Sequence, residues 1–371
     1  MEERIRRTLT EVFDPQIAQA AELENLGGHA SLRIYWRIHL PQDLDPPRVF
    51  PRGESTLMAM VLPEGGDWLQ SAEGQSSTAT APKELPFVDV QRYLANIGMP
   101  VPSIDRIDME TGVLLLEDLG DRLFEDAVLD TQAGPDPSGA RLSTYREAID
   151  LLVSFQAAVE NDRTRQQGPR QTIAYSRSFD AELLRWELDH YLEWGLQAQQ
   201  GREPIAFAEK ALAGFFDQIV SALTEAPQTL VLRDYQSRNI MFKKDRWILI
   251  DFQDAMIGPV VYDLVALLRD SYIELPPEEV QILLDYYIHR GAASGLPWCD
   301  QADPIRRLFH LQTVQRKLKD AGRCIFIDRV KNNPSFLGYY GPSIQYVKDA
   351  LAHLPELQGL QLLLQELEPG F

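Results

Sequence analysis

Cysteine is almost missing from this chain of 371 residues: there are 2, at Cys299 and Cys324. So few, so far apart, they support neither a disulfide framework nor a thiolate metal cluster, and both read as small apolar residues of a protein in a reducing cytoplasm. The histidines at 29, 39, 190, 289, 310 and 353 show no ligand spacing, so no zinc site is expected. Nowhere does an apolar run approach the roughly 18 residues of a membrane span, and the opening Met1-Glu2-Glu3-Arg4-Ile5-Arg6-Arg7 leads into no apolar targeting segment. Basic charge is scarce too, with 36 Lys and Arg against 55 Asp and Glu, a formal charge of −19. Residues 1–125 hold 11 of the former and 21 of the latter, so the excess is spread along the chain rather than placed in a tail. A surface of this sign repels nucleic-acid phosphates and anionic lipid, which excludes nucleic acid and membranes as expected partners and favours cations and Mg²⁺.

What is present suits a globular fold, with 44% hydrophobic and 25% charged residues. A helical stretch is expected over Glu2 to Glu24, then a glycine turn at Gly27-Gly28 and a strand from Leu32 to Leu40. A second strand reads from Ser55 to Leu62, rich in buried residue types, followed by a weakly ordered stretch from Pro63 to Pro82 that has little to pack. Phe87, Val90, Leu94 and Ile97 lie at helical spacing, and Val113 to Glu117 reads as a buried strand running into an acidic bend at Leu119-Gly120-Asp121. The Gly-Pro-Asp-Pro-Ser-Gly cluster between Thr131 and Ser143 marks a loop. Helices then dominate, over Tyr145–Val159, Phe179–Leu196 and 205–223, with one hairpin signal between Asn239 and Asp251 around the polar turn Lys243 to Arg246. No internal repeat or heptad pattern is found.

Chemistry concentrates between Leu232 and Asp263. Asp234 precedes Asn239 by five residues, and Asp251 follows twelve later at the end of the hairpin. An Asp-x-x-x-x-Asn pair alone arises by chance about once in a chain of this length. The conjunction carries the signal: an apolar strand before Asp234, a hairpin between Asn239 and Asp251, then Gly258-Pro259 and Tyr262-Asp263-Leu264 opening the next helix. Protein kinases use this arrangement, the first Asp taking the proton of the attacking hydroxyl while the Asn and second Asp hold Mg²⁺ on the nucleotide phosphates.

The residues Arg233-Asp234-Tyr235-Gln236-Ser237-Arg238-Asn239, Ile250-Asp251-Phe252-Gln253-Asp254, Gly258-Pro259, Tyr262-Asp263-Leu264 and Leu268-Arg269-Asp270 resemble the aminoglycoside phosphotransferase-like small-molecule kinases. Within them they look most like the bacterial kinases that phosphorylate N-acetylmuramate and N-acetylglucosamine at the anomeric position. Fainter echoes are Ala30 to Arg37, Leu114 to Asp121, and Gln315 to Lys319 with Gly322. The resemblance implies an α+β, bilobal protein-kinase-like fold, with a small β-rich N-terminal nucleotide-binding lobe (1–121) and a larger, mainly helical catalytic and substrate-binding lobe (122–371). It implies ATP and Mg²⁺ as cofactors, a small-molecule partner (an amino sugar) and a cytoplasmic setting, and leaves oligomeric state and the choice of ATP or GTP open. Carried over by position, Asp234 becomes the catalytic base and Asn239 and Asp251 the metal ligands. Glu117 and Leu119 fall at the hinge that offers backbone groups to adenine, and Gly28 and Ser31 in the turn that covers the phosphates. Asp263 falls where a buried carboxylate braces the catalytic loop; a carboxylate at a helix N-terminus is also favoured by the dipole, whether or not it braces the loop.

Two departures stand out. The strand at Ser55–Leu62 carries Met58 and Met60 where a phosphate-binding lysine is usual. Arg33, Arg37 or Lys83 could supply that charge, or the site could have lost catalysis, but the expectation is that Mg²⁺ and backbone donors suffice, since the amino sugar kinases this chain resembles also tend to lack the lysine. Leu232 stands where the family often has a histidine that props the loop. The helix containing Trp186, with Trp194, offers carboxylates and indoles to a sugar, or simply core packing. The run Arg316, Lys317, Lys319, Arg323 suits either a substrate carboxylate or a solvated basic face. Besides the amino sugar kinase, a catalytically inactive nucleotide-binding scaffold and an aminoglycoside kinase are compatible with these residues.

Overall fold

The computed structural model describes residues 1–27, 33–41, 54–64, 84–165, 172–199, 201, 206–368 and 370–371, without the side chains of 206 and 207. These fall into two compact units. The first holds the described residues up to Arg122 together with Met241–Ile250, and the second holds Leu123–Ile240 and Asp251–Phe371.

The first unit begins with helices α1 (Glu2–Val12) and α2 (Pro15–Ala20), then strands β1 (Glu22–Gly27), β2 (Ile34–His39) and β3 (Thr56–Val61), helix α3 (Pro86–Asn96), and strands β4 (Ile104–Asp108) and β5 (Val113–Glu117). The strands form one antiparallel sheet in the order β1-β2-β3-β5-β4. Side chains alternate faces along a strand, and here alternation assigns the core. Trp36, Ile38, Leu57, Ala59, Val61, Val113 and Leu115 share one face and bury against Ile5, Leu9, Phe13 and Ile17 of the two helices. Arg37, Met58 and Leu116 are neighbours on the opposite face.

The expected opening helix over Glu2 to Glu24 is corrected by the structure. Asp14 caps a fresh start at Pro15, its side chain accepting from the Gln16 N–H at 2.8 Å, and from Glu22 onward the backbone is a strand, pairing Glu22 with His39. The expectation of weak order over Pro63–Pro82 lies, beyond Glu64, outside the described residues.

In the second unit come α4 (Phe124–Asp130), α5 (Pro137–Arg165), α6 (Ala181–His190) and α7 (Ala206–Glu225), followed by β6 (Gln228–Val231). The expected loop between Thr131 and Ser143 is also corrected. Its second half is the first two turns of α5, because proline is tolerated where no intrahelical N–H partner exists and the Asp136 carboxylate accepts from the Gly139 N–H at 3.0 Å. Strands β7 (Ile240–Lys243) and β8 (Arg246–Leu249), which belong to the first unit from Met241 onward, form the expected hairpin. Lys244 and Asp245 take positive φ of 50° and 59°, the twist a two-residue hairpin turn requires. The chain continues through β9 (Met256–Pro259), antiparallel to β6, into α8 (Tyr262–Leu268), α9 (Pro277–Ala293), α10 (Ala302–Lys331), α11 (Tyr340–Leu351) and α12 (Gln358–Leu367). Helix α10 runs against α6 and the π-helical turn Tyr191–Ala198. Gly322 permits this approach, since a Cβ there would lie 2.8 Å from the His190 carbonyl oxygen. Among the described residues no helix is long and apolar enough to cross a membrane.

Candidate active site

Strand β6 ends at Val231, and the chain then turns sharply at Arg233, whose φ of 75° is unusual for a residue with a side chain. Such a conformation costs of order 1–3 kcal/mol and persists only where surrounding groups hold it. Here the holder is Asp263 at the start of α8, completely buried, whose two carboxylate oxygens accept the N–H groups of Leu232 at 2.7 Å and Arg233 at 3.0 Å. Burial pushes this carboxyl up to about 7, against the pull of its two N–H donors and of Arg316. Leu232 is itself buried and apolar, and it holds the loop through its backbone N–H. A second buried carboxylate, Asp270, accepts the N–H of Ser237 at 2.7 Å and of Tyr272 at 3.1 Å. Tyr235 anchors the same loop by donating its hydroxyl to the Ala148 carbonyl of α5 at 2.7 Å.

On this braced loop Asp234, Asn239 and Asp251 come together. The Asn239 Nδ2 donates to the Asp234 carbonyl at 2.9 Å and lies 3.4 Å from Asp251 Oδ2, while Gln253 Nε2 donates to Asp251 Oδ1 at 2.7 Å. Asp251 adopts a φ of 58°, which aspartate tolerates better than most residues. The Asn239 amide nitrogen has no free lone pair, so Oδ1 is its atom able to ligate a cation. That oxygen and the exposed Asp251 carboxylate make a hard-donor set suited to Mg²⁺. Among the described residues no group of three or more His, Cys, Asp or Glu could hold a metal by itself. Mg²⁺ does not need one, since it is commonly held by one or two protein ligands plus phosphate oxygens.

Arg238 turns away from this set. It makes a two-point ion pair with Glu125 at 2.7 and 3.0 Å and lies 3.8 Å over the Tyr272 ring. The basic run of α10 is not a solvated face at its start, because Arg316 and Lys317 are buried. Lys317 donates to Ser271 Oγ at 3.0 Å and to Asp320 at 2.9 Å, and Lys319 pairs with Asp320 at 3.0 Å. Trp194 packs edge-on against Phe326 at 5.2 Å, and Trp186 stacks on His190.

Glu117 and Leu119 belong to the first unit, in a segment held by cations. Arg37 Nε donates to Asp118 Oδ2 at 2.9 Å and its Nη2 to Asp121 Oδ1 at 2.7 Å. Lys243 Nζ donates to Glu54 Oε1 at 2.8 Å, to Glu117 Oε1 at 3.1 Å and also to the Asp118 carbonyl. Burial opposes the charge on Glu54 and Asp118, yet both carboxyls are held below the ordinary range, Glu54 by Lys243 and Lys244, Asp118 by the Gly120 N–H and Arg37. Lys243 and Glu54 were not singled out by the sequence, where they read as a turn residue and a strand flank. Of the three cations that could replace the usual lysine, Arg37 is thus engaged by carboxylates, and Lys83 lies outside the described residues, as do Gly28 and Ser31.

Known structures place this architecture in a class. The chain aligns with a choline/ethanolamine kinase family protein from Mesorhizobium loti at a TM-score of 0.54, over 99% of this chain and 100% of that one, with 14% identity. The fold is the α+β protein-kinase-like fold of the aminoglycoside and choline kinases. Residues 52–298 match the phosphotransferase enzyme family, and the chain belongs to that family. It is 31% identical to an N-acetylmuramate/N-acetylglucosamine kinase of Pseudomonas aeruginosa over 77% of this chain and 78% of that protein. A protein of the same name from Neisseria meningitidis serogroup B is 32% identical, over 77% and 82% of the two chains.

Proposed function

We propose that this protein is a cytoplasmic small-molecule kinase that transfers the terminal phosphoryl group of ATP to the anomeric hydroxyl of N-acetylglucosamine or N-acetylmuramate. The observation that carries the reading is the juxtaposition of Asp234, Asn239 and Asp251 on a loop braced by Asp263. The named relatives support the substrate class.

In this reading Asp234 orients the acceptor hydroxyl and takes its proton as the new O–P bond forms. Asn239 Oδ1 and Asp251 hold Mg²⁺, which when bound neutralises phosphate charge. Gln253 and Asn239 fix the rotamer of Asp251, so the ligand is in place before nucleotide arrives. The backbone of Glu117 and Leu119 takes adenine, in a segment immobilised by Arg37 and Lys243. An anomeric hydroxyl is more acidic than other sugar hydroxyls, so a carboxylate base is adequate and positioning supplies most of the remaining acceleration. Product NMR after incubation with ATP, Mg²⁺ and either sugar tests this: the anomeric proton is expected to show coupling to phosphorus. Phosphate on C6, or turnover of aminoglycosides with neither sugar consumed, would refute it.

A further inference from the structure

Arg316 is a fully charged side chain placed among the most deeply buried in the protein. From α10 its Nη1 donates to the Arg233 carbonyl at 3.0 Å, across 83 positions of sequence, and its Nη2 lies 3.6 Å from Asp234 Oδ1. The guanidinium also sits 4.9 Å over the ring of Tyr262, the residue before Asp263. Burial works against its charge, but Tyr262 and the carboxylates of Asp320, Asp234 and Glu187 hold it protonated.

The backbone at Arg233 explains why a cation is there. A residue turned to a φ of 75° directly after β6 ends has its N–H and C=O swung out of the strand ladder, and both need partners. Asp263 receives the N–H, and Arg316 supplies the donor for the C=O. Arg233 is therefore held on both sides of its Cα by groups of opposite charge, and the second guanidinium nitrogen of Arg316 comes within ion-pair distance, 3.6 Å, of the Asp234 carboxylate. Lysine could not serve both ends, since a planar fork addresses two oxygens in fixed directions while an ammonium is a point charge.

We propose that Arg316 is a positioning residue for phosphoryl transfer, fixing the Asp234 carboxylate toward the acceptor hydroxyl through its simultaneous hold on the Arg233 carbonyl. The proposal rests on the reading of Asp234 as the base. With its side chain 2% exposed, Arg316 does not meet the acceptor directly; its effect passes through Asp234. This also removes it from the candidates for binding a substrate carboxylate.

Steady-state kinetics of Arg316→Ala, Arg316→Lys, Asp234→Asn and the double variant Arg316→Ala/Asp234→Asn decide the matter, with N-acetylglucosamine as acceptor and Mg-ATP binding followed by calorimetry. Arg316→Ala is expected to lower kcat about 100-fold while both KM values and the Mg-ATP affinity stay within about threefold. Arg316→Lys, which keeps charge and most of the volume, recovers part of the loss and remains about tenfold below wild type. In the Asp234→Asn background, adding Arg316→Ala costs less than threefold further, because the residue it positions is gone. If Arg316→Ala does not fold, Arg316→Lys alone carries the test. A wild-type kcat in Arg316→Lys, a defect confined to the acceptor KM, or full additivity in the double variant would overturn the proposal. Substantial turnover by Asp234→Asn would instead overturn the base assignment on which it rests.

Discussion

The segment Glu117–Asp121 and the loop Leu232–Asn239 are both immobilised, by different means. In the first, charged side chains meet charged side chains: Arg37 grips Asp118 and Asp121, and Lys243 grips Glu54 and Glu117. In the second, buried carboxylates capture backbone N–H groups, Asp263 those of Leu232 and Arg233 and Asp270 that of Ser237. The difference follows from strain. A loop that carries Arg233 at a φ of 75° needs partners on its main chain, whereas the segment Glu117–Asp121 places its one positive φ at Gly120, where it costs little. The ion pairs are redundant, Arg37 meeting both Asp118 and Asp121 and Glu54 meeting both Lys243 and Lys244, while a buried carboxylate with two N–H bonds is a single point of failure.

That contrast can be broken in order of effect. Asp234→Asn should reduce kcat by about 10²–10⁴-fold with Mg-ATP affinity nearly unchanged, since the lost group acts on the acceptor. Retention of more than about a tenth of wild-type kcat contradicts its role. Asp251→Ala should abolish the Mg²⁺ dependence of ATP binding, and calorimetry with and without the ion reads it directly. Equal affinity in both conditions for the unaltered protein would remove the metal assignment. Asp263→Ala should cost about 3 kcal/mol in urea unfolding, as two backbone donors lose their acceptor, against about 1 kcal/mol or less for Lys244→Met, since Lys244 is exposed and Glu54 keeps Lys243. Comparable losses for the two would erase the contrast.

If the backbone at 117–119 takes adenine as proposed, Lys243→Met should raise the KM for ATP about three- to tenfold and leave the acceptor KM in place, because the Asp118 carbonyl loses its donor. The smallest effect concerns pH. Burial, with His353 stacked at 4.1 Å and Arg269 nearby, lowers the His310 pKa to about 3. Its folded value lies below the ordinary 6.5, so the unfolded chain binds the proton first and stability falls as pH drops from 6.5 toward 3. Asp263, raised to about 7, acts with the opposite sign, since the folded state takes up its proton before the unfolded one does. The difference in melting temperature between the wild type and His310→Gln should therefore shift in favour of the variant between pH 6.5 and 5; a constant difference would show that His310 is not the group involved.

Local sequence was sufficient wherever a pattern repeats within a few residues. Runs of branched and apolar residues marked β2, β3 and β5 as strands, the polar turn Lys243–Arg246 between apolar runs marked the hairpin, and the five- and twelve-residue spacings marked Asp234, Asn239 and Asp251 as a set. Local reading failed at Glu22–Gly27, where pairing with β2 overrode helix-forming residues, and at Pro137–Ser143, where turn residues serve as a helix start. What the sequence by itself determined is this short-range chemistry, because the residues concerned are held together by the chain between them. Only the tertiary structure decided the partners of those residues: Asp263 beneath Arg233 across 30 positions, Arg316 across 83, Lys243 to Glu117 across 126 and to Glu54 across 189. A charge of either sign can be satisfied by any of dozens of opposite charges or by water. Which one it meets is settled by the packing of helices and sheet that brings distant backbone into reach.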